Sequence, residues 1–404
     1  MRKCARNSNL MLRSIKMKKL LSILLSILLV SAIAFSVVAC GETEESVDEN
    51  VSPVSFVYKT TTDDDGNDIC TLTEFSVSAA AKAYIDEKDF AGLKALFEKH
   101  ADDTVNFTFD DENNVTLTIP EKITHLATNA IANQTFIKHI VVGSHVEEIE
   151  LGAFSGLSSL ESITLPFIGA KKGAVNGEKL FGHIFGTVGG SGLTAITQNY
   201  NDGSSENTET FQVPTSLKKV VITGDVTTTE ITYDYYIEND KMYVIKDGEN
   251  APEGVTVLTW KDNDYSQSAM QPYAFHGVSM VETVVFEGAI TAIPDFAFYG
   301  CTAIKALDFT DSGIETIGKY AYANCTSIRT LKLGSVTTIL ENAFNACAKL
   351  GKSTATQVNV IDFANVTEIG KDAFVGCALT EKSIKNLSSE IDKDAVFGED
   401  VFAE

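Results

Sequence analysis

The chain has 404 residues, 44% of them hydrophobic, with 32 basic against 55 acidic side chains and a formal net charge of -23. So acidic a chain repels nucleic acid and anionic lipid headgroups, which argues against either as a partner. The length exceeds what one globular core ordinarily serves, so the chain should divide into domains or run as a repeat array.

Residues 17–40 read MKKLLSILLSILLVSAIAFSVVAC. A basic start, a long apolar run and small residues ahead of Cys40 make a secretory signal. The end, Val37-Val38-Ala39-Cys40, resembles a bacterial lipobox. That resemblance implies removal of a signal peptide at 1–39 and a diacylglycerol on the Cys40 sulfur. An ordinary transmembrane anchor is the competing reading. The sixteen residues ahead of Met17 read as an over-extended start. Residues 1–39 carry seven basic side chains and no acidic one, so the mature chain keeps 25 basic against 55 acidic, a net of -30. Residues 40–52 are acidic and without core residues, which suits a solvated tether. No second run of 18 apolar residues follows, so lipid on Cys40 would be the membrane attachment.

Residues 53–114 read as a small α+β cap. SFVYKTTTDDDGNDICTLTEFSV is strand, acidic turn, strand, with Gly66 in the turn. The following segment is helical in period, and Tyr84, Phe90, Leu93, Leu96 and Phe97 form its apolar stripe. Asp63, Asp64, Asp65 and Asp68 invite a calcium reading, but Leu72 stands where an EF-hand loop needs a bidentate Glu. A solvated hairpin turn is favoured.

A repeat begins at 115. Its mark is an Ala-aromatic step at Ala153-Phe154, Ala274-Phe275, Ala297-Phe298, Ala321-Tyr322, Ala343-Phe344 and Ala373-Phe374, with a weaker copy at Ala130-Ile131. Apolar columns stand seven and four residues before the Ala, and seven, ten and twelve after it. In the Ala297 copy these are Ile290, Ile293, Ile304, Leu307 and Phe309. The last two columns have period 2, which reads as a short strand. The segment after the Ala reads as a tight turn or short helix. Burial of about seven side chains does not offset the entropy of ordering one repeat, so rungs must stack and share a core. Two repeat blocks result, 115–166 and 273–380. Between them, 167–272 reads as two interruptions around one bare strand at 217–222, where Leu217, Val220 and Ile222 match the columns. The stretch 223–265 reads as added β structure. Residues 381–404 lose the columns and read as a C-terminal cap.

VEEIELGAFSGLSSLESITL and ITAIPDFAFYGCTAIKALDF resemble the BspA-type leucine-rich repeats of bacterial surface proteins. The block from Leu165 to Gly224 is similar to an interruption met in Gram-positive members of that family. The resemblance implies an α/β fold: a leucine-rich-repeat solenoid with short parallel strands on one face. A β-rich insertion interrupts it, and the small cap precedes it. It also implies adhesion or ligand binding at the cell surface.

Four cysteines, Cys301, Cys325, Cys347 and Cys377, share one repeat slot, four after the Ala. Leu157 and Val278 fill the same slot elsewhere, so a buried apolar role is favoured. Disulfides are the alternative in an oxidising compartment. Zinc has no CxxC or His pair to support it.

No acid, base or nucleophile set emerges: the six His are scattered, Ser191 lies in no GxSxG elbow, and GTVGGSG lacks the lysine of a phosphate loop. The expectation is therefore no catalysis, no cofactor and no bound metal. The ligand would be an extracellular protein or glycan, met on the concave face. Residues nine and eleven after the Ala alternate with the inward pair and should line that face: His139, Ser162, Thr164, Lys219, Thr283, Asp308, Thr330, Lys332 and Asp362, with valines such as Val221 between them. The alternative site is the aromatic cluster Tyr233, Tyr235, Tyr236, Tyr243 and Trp260 in the insertion. A glycan-acting enzyme using carboxylates in the insertion, and a structural envelope protein without a ligand, are the rival functions.

Overall fold

A computed structural model describes residues 51–201, 205–226, 229–238, 241–244, 258–265, 267–352 and 359–398. The signal segment, Cys40 and most of the tether lie outside the described residues. The columns ten and twelve after the Ala form short parallel strands, one per rung. Val115–Thr118, Ile137–Val141, Ser162–Leu165, Lys219–Ile222 and Thr283–Phe286 pair in that order. Phe107–Phe109 closes the N-terminal edge in antiparallel sense. Further along, Ala306–Asp308 pairs with Thr330–Lys332, and Ile361–Asp362 with Ile384–Lys385.

A second parallel sheet, which the sequence reading lacks, is built from the column four before the Ala. Ala292–Ile293, Thr316–Ile317, Thr338–Ile339 and Glu368–Ile369 pair in series. His125–Leu126 and Glu148–Ile149 do the same in the first block. Strands of two residues are too short to show a period, which is why the sequence assigns no element to that column. Between the two sheets, the Ala-aromatic turns bond rung to rung: Phe298 N donates to Ala321 O, and Tyr322 N to Ala343 O, each at 2.8 Å.

The core runs without a break along the stack. Ile123, Val146, Ile290, Ile314, Val336 and Val366, seven before the Ala, are buried, and Ala153, Ala274, Ala297, Ala321, Ala343 and Ala373 are fully enclosed. Phe275, Phe298, Tyr322, Phe344, Phe374 and Phe397 stack face to face, with ring centroids 5.1–5.5 Å apart. That spacing follows from the separation of hydrogen-bonded backbones in adjacent rungs.

Three regions are built differently from the sequence expectation. The single helix of the cap is two, Ala79–Glu87 and Phe90–Lys99. Lys88 takes a left-handed conformation and Asp89 caps the second helix by accepting from Gly92 N, which ends one helix and starts the next. The hairpin of the cap, Val54–Thr62 with Asp68–Val77, joins the second sheet through Thr71 and Leu72 beside His125 and Leu126.

The bare strand is part of a complete rung. Phe181–Phe185 forms a 3-10 turn in the Ala-aromatic column, with Phe181 stacked on Phe275 at 4.8 Å. The hairpin Leu193–Asn201 and Glu206–Pro214 is an excursion from that rung. Its neighbour has Val226 in place of the missing upstream column, bridged to Ile290. Finally, the segment after Thr380 continues the coil, because Ile384–Lys385 pairs with the preceding strand and Phe397 stacks on Phe374.

Candidate ligand-binding face

The outward positions of the strands form rows whose alignment follows from the ladder register. His139, Ser162, Lys219 and Thr283 lie side by side, one per rung. Thr164 belongs to the next row, between Val141 and Val221. Thr330 sits beside Ala306, and Lys332 beside Asp308. Asp362 is on a separate pair, beside Lys385. The structure therefore brings the expected residues together in two groups, His139 to Thr283 and Asp308 to Lys332, with Asp362 apart.

Lys219, Thr283, Asp308, Lys332 and Asp362 are exposed, whereas His139, Ser162, Thr164 and Thr330 are half-buried. Val221 does not line the face as expected: it is buried, 6% exposed, flanked by Thr164 and Val285.

The charges on this face are paired across rungs. Lys332 Nζ lies 2.6 Å from Asp308, whose carboxyl this bond holds down to about 2, helped by Thr310. Lys385 reaches Asp362 at 3.3 Å, and Asn386 donates to the same carboxylate at 2.8 Å. His139 Nδ1 and Ser162 Oγ are 2.7 Å apart. A third row, not foreseen from the sequence, lies at the entry to the strands. There Lys138 meets Glu161 at 2.6 Å and Lys305 meets Glu282 at 2.7 Å. Its signal was available: Lys138, Glu161, Lys218, Glu282 and Lys305 alternate in sign at one repeat position.

In the insertion, Thr229–Glu238 is the central strand between Lys241–Val244 and Leu258–Asp264. Its register places Tyr233 opposite Trp260 and Tyr236 opposite Tyr243, with Tyr235 between Val244 and Leu258. The other polar features are structural. Asp63 accepts from the backbone of Asp65 and Asn67 and from the Asn67 side chain, which builds the acidic turn. Asp110 does the same with Glu112 and Asn114. Among the described residues no cluster of His, Cys, Asp and Glu could hold a metal ion. Among them too, no helix is long and apolar enough to cross a membrane.

The cysteines occupy one buried column, with Cys301, Cys325 and Cys347 enclosed and Cys377 half-buried, all as free thiols. Each thiol donates to the carbonyl of the aromatic residue one rung back, at 3.0–3.2 Å. Burial pushes the Cys301 and Cys325 thiols far up, away from the reactive thiolate.

This architecture and the sequence agree on a class: a stacked leucine-rich-repeat protein. The chain belongs to the family described as the BspA type leucine rich repeat region, whose profile matches in six copies over residues 67–171 and 268–400. Among solved structures, it is similar to a leucine-rich repeat protein of T. pallidum, at 13% identity over 70% of this chain and 88% of that one, with a TM-score of 0.27. A leucine-rich repeat protein of Bacteroides ovatus matches at 18% identity, over 65% of this chain and 58% of that one, with a TM-score of 0.26. One from Eubacterium ventriosum matches at 14% identity, over 83% and 95%, with a TM-score of 0.22. No curated protein matches the chain.

Proposed function

We propose that the chain is a lipid-anchored cell-surface protein that binds an extracellular protein or glycan through the outward face of its strands, without catalysis. The N-terminal signal and Cys40 support the location. The face is supported by one observation above all. Lys219 and Thr283 stand exposed and adjacent in register on a sheet whose inward side, through Ile163, Val220 and Ile222, packs on the core. A flat, rigid, mixed-polarity surface suits broad contact more than chemistry. Asp308 and Asp362 on it are paired with Lys332 and Lys385.

The test is a screen of residues 41–404 against extracellular-matrix proteins and glycans, followed by two variants on any hit. Lys219→Glu with Thr283→Glu should weaken binding at least about tenfold, because both lie in the contact row. Deleting 229–264 should leave it intact. If only the deletion abolishes binding, the insertion is the site. That second reading is favoured by the aromatic pairs Tyr233–Trp260 and Tyr236–Tyr243 in register. Turnover of any glycan by the chain would overturn the assignment of no catalysis. For the anchor, Cys40→Ser should release the protein from the membrane fraction; retention would contradict lipidation.

A further inference from the structure

Inside the second repeat block the ladder of strands is interrupted between Thr283–Phe286 and Ala306–Asp308, and again between Thr330–Lys332 and Ile361–Asp362, where Leu331 and Ile361 nevertheless stay buried. Among the described residues no backbone hydrogen bond joins Thr283–Phe286 to Ala306–Asp308, although the two lie on consecutive rungs. The same two rungs remain tied elsewhere. Phe275 N donates to Ala297 O at 2.8 Å, Gly277 N to Tyr299 O at 2.7 Å, and Glu282 meets Lys305 at the strand entry. The coils are thus hinged at their turns and splayed at their strands. One extra residue contributes: four positions lead from Phe286 to Ile290, but five from Phe309 to Ile314.

The opening is a cavity of about 810 Å³ that reaches the core rings of Phe298 and Tyr322. Its walls carry the signature of a missing strand. Val284, Phe286 and Leu307 belong to the inward columns yet are only partly buried, whereas Ile163, Val220 and Leu331 in those columns are at most 2% exposed. In a parallel ladder successive residues turn their N–H and C=O groups to opposite edges. Thr283 N and Glu287 N donate to the preceding strand, which leaves the groups of Val284 and Phe286 facing the cleft. On the other lip, Lys305 O accepts from Arg329 N and Phe309 N donates to Lys332 O, so Ala306 and Asp308 face the cleft. The rim carries Glu282, Glu287, Asp308 and Asp311, and no Lys or Arg lines the cavity. Glu287 and Asp311 have no ion pair among the described residues.

We infer that this cleft receives an extended polypeptide strand of a partner, added between the two lips through its backbone. The inference rests on the binding reading above and names a ligand class and a place for it. Two facing strand edges complement a guest strand on both of its sides. Alternate side chains of the guest would point to Val284, Phe286 and Leu307 and so be apolar. The others would meet the acidic rim and so be basic.

The probe is a ten-residue peptide alternating valine and lysine, offered to the full chain beside a control with the same sequence N-methylated at alternate residues. Residue-resolved hydrogen exchange is the readout. Without peptide, the Val284 and Phe286 amides should exchange at least about tenfold faster than those of Val220 and Ile222, whose ladder is complete. The unmodified peptide should slow the Val284, Phe286 and Asp308 amides, and bind at least about tenfold tighter than the control, which cannot complete the ladder. Equal binding of the two peptides would overturn the inference. So would slow exchange of Val284 and Phe286 without peptide, or protection that rises with protein concentration rather than with peptide, which would assign the cleft to a second copy. A hit from the screen that is lost in the Lys219→Glu, Thr283→Glu variant while these cleft amides never respond would sink the cleft and leave the sheet-face reading standing.

Discussion

At the level of single residues, the cysteine column shows what repeat alignment can and cannot reveal. Leu157 and Val278 in the same slot marked it as apolar, and Cys301, Cys325 and Cys347 are buried. What alignment could not show is the carbonyl one rung back. The carbonyls of Phe298, Tyr322 and Phe344 already accept the N–H of the residue three further on, and the thiol uses the second lone pair. That contact depends on the pitch of the stack, which no single repeat contains.

His276 is another residue whose role is spatial. Its ring lies parallel to Tyr299 at 4.8 Å, and Nδ1 accepts from Asn199 N of the inserted hairpin at 3.4 Å. Burial lowers its pKa to about 4, and burial lowers that of His183 as well. In the unfolded chain both would bind a proton near pH 6.5. Between about 6.5 and 4 the unfolded state therefore holds more protons at these histidines, so their contribution to stability falls as pH falls through this window and levels off below it. Carboxylates such as Asp308 titrate lower and do not share the window. Thermal unfolding of His276→Phe should show a shallower loss of stability from pH 6.5 to 4 than the parent chain, by roughly 1–3 kcal/mol at the acid end. An unchanged slope would mean that His276 is solvated.

At the level of elements, the strands of the outer face were legible because two columns with period 2 survive in nearly every copy. The two-residue strands of the second sheet were not. Neither was the rung hidden in 167–214, since Phe181 stands in the aromatic column without the preceding Ala. The break at Lys88 was missed because the apolar stripe continues across it. The energetic weight of the elements lies in the central stack of rings. Phe344 is enclosed between Tyr322 and Phe374 at 5.5 and 5.1 Å, whereas the parallel outer stack of Phe296 and Tyr320 is only partly buried. Phe344→Ala should cost about 3–5 kcal/mol, and Tyr320→Ala no more than about 1–2. Denaturant titration of both variants checks the ranking; similar losses would show that the rings do not share one enclosed column.

For the whole molecule, the family and solenoid were legible because every rung repeats one inward pattern. The candidate site was legible only as a set of outward positions, and the open cleft that divides them was not. Strand splaying depends on how adjacent rungs differ in length, and a column alignment absorbs such differences as gaps. One core is shared from the cap to the C-terminal rungs. Cys70 reports on the cap, and Cys301, Cys325 and Cys347 report on the second block. Pulsed thiol labelling through a guanidinium titration, read residue by residue by mass spectrometry, tests that claim most directly. With one shared core, these four thiols should stay unlabelled in the native protein, carry no disulfide, and become reactive together in one transition. Labelling of any of them without denaturant, or release of the second block well before Cys70, would contradict it.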